Sequence, residues 1–261
     1  MSQHQQTAHK HRPWVLAALM LFMMLAAMDV TIVSTAVPQV VADLGDFTLF
    51  TWVFSIYLLA QTVTIPIYGK LADIYGRKPI LITGSVVFLI ASAAAAAAWN
   101  MHSLILFRGI QGLGAGAMMA TITTLAGDLY SLRERAKIQG FLSSVWGIAA
   151  IAGPLLGGTF TEFVSWRWIF LVNVPIGIIA IALLLAYLHE HRAPKQHTVD
   201  YLGSAAILAA VSTLILALLE GGQAWPWISL SSLAIFSLAF VLIIFAVWTQ
   251  RRAAEPIMPG W

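Results

Sequence analysis

Two charged residues stand inside apolar runs that are otherwise almost free of charge: Asp29 within residues 14–37 and Arg108 within residues 103–127. Ionisable side chains are costly in a bilayer interior, and those that persist there usually serve as proton relays or counter-ions. If the two runs are helices crossing in opposite directions, Asp29 lies about eight residues and Arg108 about five residues from the same face. At ~1.5 Å of rise per residue the two then meet within about one turn in depth. An acid and a guanidinium at one depth can be a plain structural ion pair. Alternatively, the carboxyl can gain and lose a proton under the control of the cation, because desolvation favours its neutral form and the cation its ionised form. Both readings stand on the sequence.

Other chemistry is scarce. The seven His residues (His4, His9, His11, His102, His189, His191 and His197) all fall in tails or loops. A serine protease or metal enzyme within the membrane needs a base or ligand beside its nucleophile, and the apolar runs offer none. His9 and His11 could hold a metal only loosely, so no metal site and no cofactor is expected. There is no Cys, which excludes disulfides, thiolate chemistry and Cys-ligated zinc.

Three stretches have spacing that suggests movement or close packing. Residues 69–79 read Gly-Lys-Leu-Ala-Asp-Ile-Tyr-Gly-Arg-Lys-Pro, a charged island between two long apolar runs. It is too short for a domain and reads as a tight basic turn joining two membrane helices, with Gly69, Asp73, Gly76, Arg77 and Lys78 as its marked positions. From Arg108 the chain continues with Gly109, Gln111, Gly112 and Gly116, whose glycines offer a smooth helix face to another backbone. Gly147, Gly153, Pro154, Gly157 and Gly158 occupy a later run, where Pro154 removes a backbone hydrogen bond and the glycines allow bending and close contact. Tight packing alone would explain that run equally well.

The elements that must position these residues are legible from composition. With 60% apolar residues, 10% charged and a mean hydropathy of +0.85, an ordinary soluble core is implausible. Eight spans are predicted, at 14–37, 49–68, 80–99, 103–127, 136–160, 168–188, 201–219 and 227–249. The first is too long and too charged for a signal peptide and reads as a retained helix. Twelve of the fourteen Lys and Arg residues then fall on one side; Arg167 alone falls in a loop on the other, and Arg108 lies within a span. The basic side is expected to be cytoplasmic and to hold both ends of the chain. Trp14 and Trp248 sit at inner ends; Trp52, Trp99, Trp166, Trp168, Trp225 and Trp227 sit at outer ends, as interfacial anchors. Trp146 fits neither set. Lipid, a neighbouring helix and a substrate cavity all remain open for it.

Taken in order, five stretches resemble the major facilitator superfamily, in particular its fourteen-helix drug:proton antiporter branch. They are residues 28–38 (Met-Asp-Val-Thr-Ile-Val-Ser-Thr-Ala-Val-Pro), the 69–79 turn, the run from Arg108, residues 147–158, and residues 166–177 (Trp-Arg-Trp-Ile-Phe-Leu-Val-Asn-Val-Pro-Ile-Gly). Ile74 departs from the turn motif, which often carries a basic residue there. The resemblance implies an all-α polytopic fold. Residues 1–12 would be a cytoplasmic tail and 13–190 a six-helix transporter half built as a three-plus-three inverted repeat. Residues 191–200 would be a cytoplasmic linker, 201–250 two additional membrane helices, and 251–261 the start of a link to a C-terminal half that the chain does not contain.

The function implied is proton-coupled efflux of small amphipathic, drug-like and in part cationic compounds across the cytoplasmic membrane. Asp29 and Arg108 would couple to protons. Gly69, Asp73, Gly76, Arg77 and Lys78 would belong to a cytoplasmic gate. Arg108, Gln111, Gly112 and Gly116 would form the fourth-helix motif, and Gly147, Gly153, Pro154, Gly157 and Gly158 the antiporter motif. The partners would be the substrate, protons, the lipid bilayer, and a C-terminal half or a second copy of the chain; nucleic acid is not expected. The other expectation is a non-transporting fragment, left by an early stop or a split gene. Within residues 1–190 a faint repeat is visible: Gly69, Asp73 and Arg77 after span two parallel Gly158, Glu162 and Arg167 after span five.

Overall fold

The computed structural model describes residues 3–190, 201–222 and 225–252. The expected linker at 191–200, with His191, Arg192, Lys195 and His197, and the segment beyond 252 lie outside the described residues. The described chain is helical, in the order α1 (Gln3–Ile32), α2 (Val37–Leu44), α3 (Phe50–Tyr75), α4 (Arg77–Ala96), α5 (Met101–Leu129), α6 (Leu132–Phe163), α7 (Trp168–Leu171), α8 (Asn173–Tyr187), α9 (Tyr201–Glu220) and α10 (Leu230–Arg252). Counting α1 with α2, and α7 with α8, eight spans are long and apolar enough to cross a membrane. The molecule is an all-α, multi-pass membrane protein.

Two spans are broken, each four residues before a proline completes its first turn. Pro38 has no N–H, and its ring crowds the carbonyl of Ser34; the helix gives way to a 3-10 turn over Val33–Ala36 and resumes as α2 with the proline in its first turn. Span one thereby reaches Leu44 rather than ending at residue 37. Pro175 acts in the same way on Leu171, the last residue of α7.

The 69–79 island is not a loop. Residues 69–75 are the last two turns of α3, and Arg77, Lys78 and Pro79 are the first turn of α4. The entire connection is Gly76, whose φ of 95° is open to glycine and strained for any residue with a Cβ. Leu71, Ala72 and their neighbours are ordinary helix formers, and nothing before Gly76 tells the helix to stop. At the other end of the chain, α10 starts at Leu230, three residues later than the hydropathy suggests. The Ser229 hydroxyl accepts from the Ser232 N–H at 3.1 Å and so caps the helix there.

Packing follows an exchange between two groups of three spans. Span four (α5) packs on spans two and three (α3, α4), and span one (α1) packs on spans five and six (α6, α8). Each group's first span therefore rests on the other group's last two, as interlocked inverted repeats do. Within spans one to six the buried apolar residues form two clusters. One is built around Leu19, Phe22, Tyr57, Phe88 and Met118, the other around Ile32, Val53, Leu104 and Phe170. The last two spans (α9, α10) form a hairpin with its own small cluster at Ala206, Ile207, Ala210 and Ala246, and α9 leans on α3.

Candidate functional site

Where the two apolar clusters meet, α1 and α5 bring Asp29 and Arg108 together. Both are completely buried, and they are the only fully buried charged side chains among the described residues. Arg108 Nη1 donates to Asp29 Oδ2 and, at 2.8 Å, to Gln111 Oε1 one helical turn along. Gln111 Nε2 in turn donates to Asp29 Oδ1 at 2.7 Å, closing a ring of three side chains. Asn173, the first residue of α8, donates from Nδ2 to Asp29 Oδ1 at 3.3 Å and to Ser92 Oγ at 3.0 Å. The Ser92 hydroxyl donates to the Phe170 carbonyl at 2.9 Å. Spans one, three, four and six are thus tied through one carboxylate. Span two contributes the Val53 carbonyl, which accepts from Arg108 Nε at 3.3 Å, and the Tyr57 ring, 4.1 Å from Arg108 Cζ.

All three side chains that touch Asp29 donate to it. A proton arriving on this carboxyl would find no acceptor, so protonation requires at least one donor to turn away. Three buried polar atoms of the layer have no partner: Tyr57 Oη, Arg108 Nη2 and Asn173 Oδ1. The network is therefore closed around the carboxylate and unsaturated around its rim.

The expected glycine faces divide by what they touch. A Cβ on Gly112 would come within 2.5 Å of the Tyr57 carbonyl oxygen, and one on Gly116 within 2.1 Å of Thr64 Oγ1, so these two set how closely α5 approaches α3. On α6, a Cβ on Gly153 would lie 2.0 Å from Thr31 Oγ1 and one on Gly157 2.0 Å from Thr35 Oγ1. The Thr31 hydroxyl also donates to the Ala149 carbonyl at 3.0 Å. Span five thus carries notches for hydroxyls on span one, the first of them two residues beyond Asp29. Gly69, Gly147 and Gly158 meet nothing within 4 Å, and Gly109 only the Ile56 side chain. Pro154 is exposed, and α6 runs through it. Trp146 is 39% exposed.

At one end of the bundle, Arg77 joins three helices. Its guanidinium pairs with Asp128 at the end of α5, donates to the Thr124 carbonyl at 2.9 Å, and lies 3.7 Å from Asp73 one turn back on α3. Glu190, just after span six, accepts from the Arg77 N–H at 2.8 Å and the Lys78 N–H at 3.0 Å, capping α4. Lys78 Nζ donates to the Leu188 carbonyl.

The opposite end repeats the arrangement with its elements exchanged. Arg167, in the turn after span five, donates to Asp43 Oδ2 at 2.6 Å at the end of span one and to the Ala98 carbonyl at 3.3 Å. Trp166 Nε1 shares the same carboxylate oxygen at 3.0 Å. Hence the turn after span two clasps span four, and the turn after span five clasps span one. Glu162, the expected counterpart of Asp73, forms neither an ion pair nor a hydrogen bond with Arg167. Trp166 is 3% exposed and therefore is not the interfacial anchor that its position suggested.

Asp43, Asp128, Glu190, Tyr57, Ser92 and Asn173 were not singled out from the sequence. A count of acids at span ends, made beside the count of Lys and Arg, would have raised the first three. Asn173 breaks the apolar run of span six as Asp29 breaks that of span one. Among the described residues no three His, Asp or Glu side chains gather to hold a metal ion; the His9 side chain lies outside them.

A family model described as Major Facilitator Superfamily matches residues 19–252. A multidrug transporter protein MdtP of Bacillus subtilis is 37% identical over 259 residues, which cover 99% of this chain and 48% of the relative. Multidrug resistance protein 3 of the same bacterium is 38% identical over 248 residues, 95% of this chain and 48% of the relative. An efflux pump dotC of the fungus Dothistroma septosporum is 37% identical over 252 residues, 94% of this chain and 43% of the relative. The chain spans about half the length of the curated relatives it matches.

Proposed function

This chain belongs to the Major Facilitator Superfamily, and from that premise we propose that it forms part of a transporter, not an enzyme, that exports small amphipathic compounds in exchange for protons. The observation that carries the coupling is the fully buried Asp29–Arg108 pair, which joins spans one and four and is linked to spans three and six through the carboxylate and to span two through the guanidinium. A carboxyl sealed from water and surrounded by donors holds its proton state until the helices around it move. The seam between spans one and five, where Thr31 and Thr35 sit in the notches of Gly153 and Gly157, is the proposed route for water. Rocking of span five against span one would open that seam, hydrate Asp29 and let it exchange a proton; closing it would trap the result.

The Arg77 end is the cytoplasmic face in this reading, on the strength of its basic residues. There Arg77, Asp73, Asp128 and Glu190 form a clasp that must loosen whenever spans two, four and six separate, which gives the Gly69–Lys78 region its gating role. The substrate cavity is proposed to lie near the midplane, between this chain and a second unit of similar size, whether in the same polypeptide or a second copy. A cationic substrate would compete with the proton for the pairing capacity of Asp29.

The test is efflux in membrane vesicles with an imposed pH gradient, using the protein that carries this chain. Asp29→Asn should abolish proton-driven efflux at unchanged protein level, with cationic compounds affected more than neutral ones. Undiminished proton-driven efflux would remove Asp29 from the mechanism.

A further inference from the structure

Beyond Asp29, span one carries a polar side chain at every fourth residue: Thr31, Thr35, Gln39 and Asp43. A four-residue step returns to nearly the same helix face. Each of the four meets span five or the turn after it. Thr31 donates to the Ala149 carbonyl, Thr35 fills the notch at Gly157, Gln39 Nε2 donates to the Thr161 carbonyl, and Asp43 accepts from Trp166 and Arg167. In the same stretch Pro38 leaves the Ser34 carbonyl without an α-helical donor. The ladder ends in an open recess lined by Gln39, Asp43, Thr161, Ser165 and Arg167. Continued the other way, the four-residue series reads Ala27, Met23, Leu19 and Val15, all apolar and all buried.

That one-sidedness is not what helix adhesion alone requires. Hydroxyls and amides can fasten membrane helices at any depth, yet on this face they stop at the level of Asp29. Water enters a protein interior only where it finds about two to four polar partners, and an apolar gap stays dry. We propose that Thr31, Thr35 and Gln39 line the external entry path to Asp29, admitting protons from the Arg167 end alone, with Gln39 as the plug that closes the mouth against the Thr161 carbonyl. The inference rests on the proton-carrying role of Asp29 and on the Arg77 end being cytoplasmic. It gives that role a side and a set of residues. Release to the cytoplasm must leave along another helix, because span one holds no hydroxyl, amide or charge from Met28 back to Val15.

This chain has no Cys, so single cysteines can be placed in a Cys-free form of the protein that carries it. They are probed with a charged, membrane-impermeant thiosulfonate, applied to intact cells or to inverted vesicles. Thr31→Cys, Thr35→Cys and Gln39→Cys should react from outside, fastest at Gln39 and slowest at Thr31. Met23→Cys and Leu19→Cys should react from neither side. Reaction at Thr35→Cys or Gln39→Cys should stop proton-driven efflux. Separately, Thr35→Val with Gln39→Leu keeps the shape closely and removes the polar lining. It should lower the maximal rate of proton-driven efflux about tenfold, with KM for the exported compound unchanged. The cysteine series keeps the test open if this double variant is unstable. Ladder cysteines that stay unreactive while the protein pumps overturn the proposal, and so does an undiminished rate in the double variant. Reaction at Met23→Cys from the cytoplasmic side would make the seam open at both ends, which also overturns it. If reaction at the exposed Ser34→Cys stops proton-driven efflux while reaction at the ladder positions does not, water arrives along the open face of span one and the proposal falls. A failure of the Asp29 role would appear separately, as proton-driven efflux that survives Asp29→Asn whatever the ladder shows.

Discussion

Asp29–Arg108 and Asp43–Arg167 are the same chemical pair placed in opposite surroundings. The first is dry: both side chains are 0% exposed, and the partners of the carboxylate are all protein donors. The second is wet, with its arginine 38% and its aspartate 46% exposed at the end of the bundle. Both join helices far apart in sequence, and both use an arginine that also contacts an aromatic ring, Tyr57 in one case and Trp166 in the other. What differs is the consequence of losing a partner. In the dry pair the surviving charge has nowhere to go; in the wet pair water takes it. Burial, rather than the presence of the ion pair, makes one a candidate for coupling and the other a fastening.

The largest effect should therefore come from unbalancing the dry pair. Arg108→Gln leaves Asp29 without its cation and is expected to lower stability by about 3–5 kcal/mol, less whatever Asp29 regains by taking a proton. The double variant Asp29→Asn with Arg108→Gln removes both charges and keeps side chains that can hydrogen-bond. It should recover most of the loss. Thermal unfolding in detergent, followed by the folded fraction on size exclusion, checks both. If the double variant is as damaged as the single one, the pair's worth lies in its shape and the contrast with the wet pair fails.

Glu190 falls between the two extremes, being half-buried with backbone N–H groups as its partners. Glu190→Gln keeps an acceptor but loses the charge that faces the N-terminus of α4; Glu190→Ala loses both. Losses of about 0.5 kcal/mol for the glutamine and about 1–2 kcal/mol for the alanine are expected from charge–dipole and capping energies. Amide hydrogen exchange at the first turn of α4 localises the effect. An alanine variant with unchanged exchange at Arg77 and Lys78 would show that the cap contributes nothing.

The same gradient explains what could be read in the sequence. Eight spans and the matching depth of Asp29 and Arg108 were legible, because hydropathy and a rise of ~1.5 Å per residue are one-dimensional quantities. The Gly112 and Gly116 face was legible for the same reason. What was not legible depends on which spans adjoin. Asp43 and Asp128 look like solvated acids until the exchange of spans one and four puts each beside an arginine from the other group. Tyr57 reads as one aromatic among many until Arg108 lies over its ring. The charge of residues 69–79 suggests a turn of eleven residues, whereas the turn is Gly76 alone and the rest of the island is helix. Charge reports where a segment sits and says little about its backbone.

The smallest expected effect belongs to the wet pair, and it is the sharpest test of the comparison. A double-mutant cycle on Asp43→Asn and Arg167→Gln should give a coupling below about 1 kcal/mol, the range for exposed ion pairs. Two features pull it upward: Asp43 Oδ2 also accepts from the buried Trp166 indole, and Arg167 holds the Ala98 carbonyl, so neither side chain is ordered by the pair alone. Because part of the ordering cost is already met, the coupling should be measurable rather than zero. Salt separates the two regions most cleanly. With a Debye length near ~8 Å at physiological ionic strength and near ~3 Å at 1 M, the Asp43–Arg167 coupling should fall by half or more between low salt and 1 M. The Asp29–Arg108 coupling should hold steady, since no ion reaches it in the closed state. A buried coupling that falls with salt in parallel with the exposed one would mean that water and ions already enter the layer, and the seam between α1 and α6 would then be open at rest.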